Sequence, residues 1–209
     1  MVHRDARYLA AAMQGLVGWE WLVSGANKVL SGTFPSGLSN TLDASMKNNP
    51  NGWYLAILRG VVLPHGVFFG YLIEITEVLT GIALLAGTVL LIGGIRHRDE
   101  PQFGLARAQV IAAAIAALAC GFLCINFHFY MGDSIIPGFD PSSPFNEGID
   151  LDTLMAPIAL LIFLFNLYVL GDMNGVSMLN PIRRAADRVR VLFTPQQYLA
   201  PHPADGTPN

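Results

Sequence analysis

Charge is the scarcest thing in this sequence. Asp, Glu, Lys and Arg make up 13% of the 209 residues, where soluble domains run to about a quarter. Cysteine is nearly missing: Cys120 and Cys124 are the only two, one helical turn apart within an apolar segment. They form no CxxC pair and no disulfide framework. A net charge of -3 leaves no basic footprint, which argues against a nucleic-acid partner. No Gly-rich phosphate loop, Ser-His-Asp order or zinc-ligand spacing occurs either.

What is present is hydrophobic length: 53% of the residues are apolar or aromatic. A spanning helix needs about 20 mostly apolar residues. Four segments qualify, at roughly 8–30, 65–95, 106–130 and 151–171. The first follows Arg4 and Arg7, as a signal peptide would. It also carries Glu20, Asn27 and Lys28 with no small-residue cleavage site, so it reads as a retained helix. The expected fold is an all-α integral membrane protein, a four-helix transmembrane bundle over residues 1–175.

Lysine and arginine set the orientation. Arg4 and Arg7 precede the first span, Arg96, Arg98 and Arg107 follow the second, and Arg183, Arg184, Arg188 and Arg190 follow the fourth. The loop after the third span has no Lys or Arg, but carries Asp133, Asp140, Glu147, Asp150 and Asp152. Both termini are therefore expected in the cytoplasm and the loops at 31–64 and 131–150 outside. Asn49-Pro50-Asn51-Gly52 reads as a turn, and Trp53 to Val62 as a short outer helix with Trp53 and Tyr54 at headgroup level. Residues 176–193 mix apolar side chains with four arginines, the pattern of an interfacial helix on anionic lipid. The Pro-rich tail at 194–209 has no reason to fold alone.

Ionisable residues inside a membrane are costly and are functional candidates by default. Glu20 in the first span, and Glu74 and Glu77 in the second, are expected deep among the helices and are the candidate catalytic acids. Gly70, Glu74, Glu77 and Gly81 fall on one helical stripe, where small residues flanking two acids admit a neighbouring helix. Glu20, Ser24, Asn27 and Lys28 make a second polar stripe. Toward the outside, Asn27, Lys28, His65, Asn126 and His128 are candidates to hold a polar head such as a quinone ring. A buried acid would serve proton transfer to it. The bland alternative is that the acids only hold helices together. His65 and His128 at helix ends are more often interfacial hydrogen bonders than a haem pair, so haem is not expected. Cys120 and Cys124 share a face with His128, but a cysteine in an Ala-rich helix packs as a small apolar residue, and no metal site is read.

The stretches Ser24-Gly25-Ala26-Asn27-Lys28, Asn49-Pro50-Asn51-Gly52-Trp53-Tyr54, Val62-Leu63-Pro64-His65 and Glu77-Val78-Leu79-Thr80-Gly81 resemble the DoxX/DoxD family of four-helix membrane proteins over roughly residues 10–170. The likeness is to the DoxD branch, the membrane subunit of thiosulfate:quinone oxidoreductase. It implies a multi-pass protein of a bacterial or archaeal cytoplasmic membrane. It also implies oxidation of thiosulfate outside, electrons passing to quinone, and Lys28 and Glu77 as the matching polar residues. A DoxA-like partner would have to be a second polypeptide. The alternative is a non-catalytic accessory or anchoring subunit of a larger respiratory or photosynthetic complex, with other subunits as partners. With no inverted repeat, a transporter fits less well.

Overall fold

The computed structural model describes residues 4–96, 98–132 and 151–176; the expectations for the 133–150 loop, the basic helix at 176–193 and the tail fall outside them, save for Val176. Among the described residues the fold is all-helical. Helix α1 spans Arg4–Ser31, α2 Phe34–Ser45, α3 Gly52–Ile57, α4 Gly66–Gly93, α5 Phe103–Met131 and α6 Leu151–Met173. These bounds match the four apolar segments to within a few residues. Three helical runs, Gly52–Gly93, Phe103–Met131 and Leu151–Met173, are long and apolar enough to cross a membrane. The chain is a multi-pass membrane protein in contact with lipid. Helix α1 is as long as α4, but Asp5, Arg7, Glu20 and Lys28 lower its hydropathy.

The bundle is built from two tight pairs, α1 along α4 and α5 along α6, joined by α4 against α5. Glycines let α1 and α4 touch. A Cβ on Gly81 would come within 2.5 Å of the Leu22 backbone nitrogen, and one on Gly25 within 2.7 Å of the Val78 nitrogen. The stripe of small residues thus does what its spacing implies, with one refinement. Gly70 admits Pro35 of α2 rather than α1. At the centre, Val17 and Trp21 meet Leu84, the Ala113–Cys124 face of α5, and Ala159 and Ile162 of α6. At one end Ala11, Leu91, Ala106, Val110, Val169 and Met173 close the core.

One buried polar contact ties three helices. The Gln14 side-chain amide donates to the Leu84 carbonyl at 2.9 Å and accepts from Asn166 Nδ2 at 2.7 Å. Both residues are 1% exposed. Such contacts between membrane helices contribute about 0.6 to 2 kcal/mol each. Asn166, buried mid-way along α6, therefore anchors α6 to α1.

The chain between α1 and α4 is more structured than expected. Residues Phe34–Ser45 form a helix that the sequence reading passed over as loop. Pro35 sits in its first turn, where a missing N–H costs nothing. Leu38, Leu42 and Met46 recur at i, i+4 and i+8 and are buried. The expected turn is present: the Asn51 N–H donates to Asn49 Oδ1 at 2.8 Å, and the Asn49 side chain donates to the carbonyls of Phe129 and Tyr130 at the end of α5. Those carbonyls lack helical partners, so the turn caps α5. The path from α3 into α4 stays helical through a π-turn at Leu58–Val62 and a 3₁₀ turn at Leu63–His65. Pro64 explains the irregularity, since it donates no hydrogen bond and clashes with the carbonyl four residues back.

Candidate functional site

Glu77 and Lys28 meet. Helix α4 presents Glu77 toward α1 at the level where Gly25 and Gly81 bring the two backbones together, and Lys28 reaches it one turn along α1. Lys28 Nζ lies 2.6 Å from Glu77 Oε2 and 2.8 Å from Ser24 Oγ, and Ser24 donates to the same carboxylate oxygen at 3.1 Å. The Glu77 side chain is 1% exposed and Lys28 23%. The ammonium also lies 5.3 Å from the centre of the Phe34 ring at the start of α2. A carboxylate this deep needs a counter-ion, and Lys28 supplies it.

Lys28 faces two spaces. One is a shallow vestibule shared with Ser24, Asn27, Ser31, Thr33 and Phe34. The other is a cavity of about 470 Å³ enclosed by α2, α3, the π-turn, α4 and α5. Its walls are almost wholly apolar, with Leu38, Leu58, Phe69, Ile73 and Phe127 among them. Its few polar groups include Lys28, Thr41, Thr76, Tyr54, Asn126 and Tyr130. Tyr54 donates to Asn126 Oδ1 at 3.0 Å, and Asn126 Nδ2 donates to the Phe122 carbonyl at 2.7 Å. Ile57, Val61, Leu72 and Phe122 line the same cavity yet are about half exposed or more on the outside of the bundle. The cavity thus opens at the outer surface of the bundle. An apolar chamber with a few convergent polar groups is the usual form of a small-molecule site.

A third space, a crevice of about 200 Å³, lies on the other side of the ion pair. Glu20, Trp21 and Ser24 of α1, Glu77 of α4, Cys124 and Phe127 of α5, and Leu151, Asp152 and Met155 of α6 line it.

The sequence-derived candidates separate accordingly. Glu77 and Lys28 form the centre, and Asn126 lies in the cavity wall. Asn27 is exposed in the vestibule. Glu74 is buried, with Oε2 unpartnered, and does not join the ion pair. Glu20, expected deep among the helices, is exposed at the crevice. The reason is helical geometry: each i+4 step gains about 40° beyond a full turn, so Glu20, Ser24 and Lys28 wind around α1. Glu20 ends on the α6 side and Lys28 on the α2 side. His65 is exposed at the start of α4. His128 is buried, with Nδ1 2.6 Å from Thr153 Oγ1 of α6, and Nε2 has no partner. Arg59 is exposed in the π-turn. Both thiols are buried, at 0% and 1% exposed. Among the described residues, no group of three or more His, Cys, Asp or Glu side chains is placed to hold a metal ion.

Tyr54 is the site residue that sequence reasoning misplaced. Trp53 is 59% exposed, as a headgroup-level aromatic should be, but Tyr54 is buried and points its hydroxyl into the cavity wall. Its partner Asn126 was legible and the pairing was not, since the two lie 72 positions apart. Compared with known proteins, the chain matches no family model, no curated protein and no solved structure.

Proposed function

We propose that this chain is a four-crossing membrane protein that holds a lipid-soluble quinone, as the membrane subunit of a redox system of the DoxD type. The observation that carries the reading is the cavity: about 470 Å³, apolar, open at the outer surface of the bundle, with Lys28, Tyr54 and Asn126 in its wall. A quinone head needs a donor at each carbonyl oxygen and an apolar enclosure for its ring and tail. Lys28 supplies a charge-assisted donor and sits against a carboxylate that can take up and release protons.

The fourth crossing is α1. Leu9, Leu16, Val23 and Leu30 recur every seven residues and are exposed, as is Trp19. Gln14, Ser24 and Lys28 are turned inward. A helix that exposes a row of apolar side chains and turns these polar groups inward is arranged for lipid, with Glu20 and Asn27 left exposed at the crevice and the vestibule. At about 1.5 Å per residue, its 28 residues exceed the hydrocarbon core of about 30 Å. In this reading the arginine distribution orients the chain ends and the loop at residue 98 toward the cytoplasm, with the cavity toward the outer side, and the resemblance to the DoxX/DoxD family implies a bacterial or archaeal membrane.

In this reading thiosulfate, drawn as an anion to the Lys28 vestibule, is the outer electron source. One observation favours the accessory reading for the electron-transfer step itself. Cys120 and Cys124 pack in the core, so the chain offers no reactive sulfur in the cavity. Electrons then arrive from a partner subunit, and this chain contributes the quinone and its protons.

The test is binding of decylubiquinone to the purified protein in nanodiscs, followed by quenching of tryptophan fluorescence. Saturable binding is expected. Ala119 lines the cavity, and Ala119→Phe fills part of it, weakening binding by about tenfold, or ~1.4 kcal/mol. Equal, non-saturating partition in wild type and variant would remove the quinone site.

A further inference from the structure

We infer that the crevice holding Glu20 is the proton port of the cavity, delivering protons from water through Glu77, Ser24 and Lys28 to the quinone head. The inference rests on the quinone reading and adds to it a route and two positioning residues, Glu20 and Ser24.

The geometry is continuous. Glu77 is buried, yet its side chain lines the crevice. Lys28, hydrogen-bonded to it at 2.6 Å, lines the cavity. Ser24 lines the crevice and bridges the two, accepting from Lys28 at 2.8 Å and donating to Glu77 at 3.1 Å. Phe127 lines both spaces and is the apolar partition between them. The ion pair is thus a polar link across an otherwise apolar wall. Among the described residues, Glu20 and Asp152 line the crevice and no Lys or Arg does, so its field draws protons. Trp21 lines the crevice as well. It is 4% exposed and its indole N–H has no protein partner, which leaves a buried donor for whatever enters. A space of about 200 Å³ has room for several water molecules. Among the described residues, the ionisable groups around Glu77 are Lys28 and Glu20 on α1, Cys124 on α5, Asp152 on α6 and Glu74 on its own helix.

The chemistry balances as follows. The quinone takes two electrons from a reductant on the partner subunit, or from an electrode, and two protons, one on each oxygen. Lys28 gives a proton from its ammonium to the reduced oxygen. Glu77, a carboxylate in the resting pair, first takes a proton from water through the crevice at Glu20 and then passes it to the neutral amine, directly across their contact or over the Ser24 hydroxyl once that has turned from Glu77 to Lys28. A second passage supplies the second proton. The acids are not altered in the net reaction.

Protein-film voltammetry of the nanodisc-reconstituted protein loaded with decylubiquinone tests this, the electrode supplying the electrons. Glu20→Gln is expected to slow the two-electron, two-proton wave by on the order of a hundredfold. Glu20→Asp, which keeps a carboxylate at the mouth, restores most of the rate, and Ser24→Ala is slowed like Glu20→Gln. A wild-type rate in Glu20→Gln with decylubiquinone bound overturns the port and leaves the quinone site standing. No bound decylubiquinone in wild type overturns the site and the port together. Equal slowing in Glu20→Gln and Glu20→Asp makes Glu20 a packing residue and also overturns the port.

Discussion

Replacing Lys28 by alanine lowers the stability of the bundle by about 3 kcal/mol, the lower end of the range for breaking a buried ion pair. The lower end applies because the Lys28 side chain is still 23% exposed. The loss comes less from the bond removed than from what stays behind. Glu77 is 1% exposed, and without Lys28 its carboxylate keeps, among the described residues, the Ser24 hydroxyl as donor. Lys28→Met together with Glu77→Leu removes both charges and keeps the volume, so the double variant is expected near wild-type stability while losing the quinone. Unfolding of the purified protein on titration from mild detergent into dodecyl sulfate measures both. A Lys28→Ala change within about 0.5 kcal/mol of wild type, the range of an ordinary surface substitution, would mean that the pair is solvated.

Gly81→Ala is the second large effect. The added methyl would lie 2.5 Å from the Leu22 nitrogen and 2.6 Å from both Leu22 Cα and Cβ. Two of these three are backbone atoms of the facing helix, so no rotamer change relieves the clash and α1 must move away from α4. Overpacking of this kind costs about 1–3 kcal/mol. Gly25→Ala acts at the same seam, against the Val78 nitrogen at 2.7 Å and Glu77 Cβ at 2.9 Å. The two share one helix pair, so their effects are not expected to add. Because Gly25 abuts Glu77, either change also spreads the Lys28–Glu77 contact and weakens quinone binding. Gly104→Ala is the control: nothing lies within 4 Å of its Cβ position, and its stability stays within about 0.5 kcal/mol of wild type. Thermal unfolding of the three variants in the same detergent separates the outcomes.

The long apolar elements were legible because hydrophobic length is a local signal. Helices α4, α5 and α6 each carry it in a single uninterrupted stretch. The meeting of Lys28 with Glu77 was legible only in part. Helical spacing placed Glu77 on a stripe with Gly81, but the partner across the seam depends on how α1 docks. Glu20 shows the limit. A polar stripe drawn at i+4 steps looks like one face, yet it winds around α1, so one end lies at the crevice and the other at the cavity. Gln14 was overlooked because one amide in an apolar helix carries no pattern. Its role appears only when Leu84 and Asn166 arrive from two other helices. Helix α2 had a signal, in Pro35 and the Leu38, Leu42, Met46 spacing, but its single apolar face is too short to stand out beside full membrane spans. The cavity lies between α2, α3, α4 and α5, so missing α2 hid one of its walls.

Photoaffinity labelling of the nanodisc-embedded protein with an azido-quinone, read by mass spectrometry of the adducts, tests the quinone cavity most directly. The account predicts adducts on the segments carrying Phe34 to Thr41 and Asn126 to Tyr130, suppressed by excess decylubiquinone and reduced in Ala119→Phe. Adducts spread over lipid-facing residues such as Leu16, Trp19 and Ile115, untouched by the competitor, would contradict it.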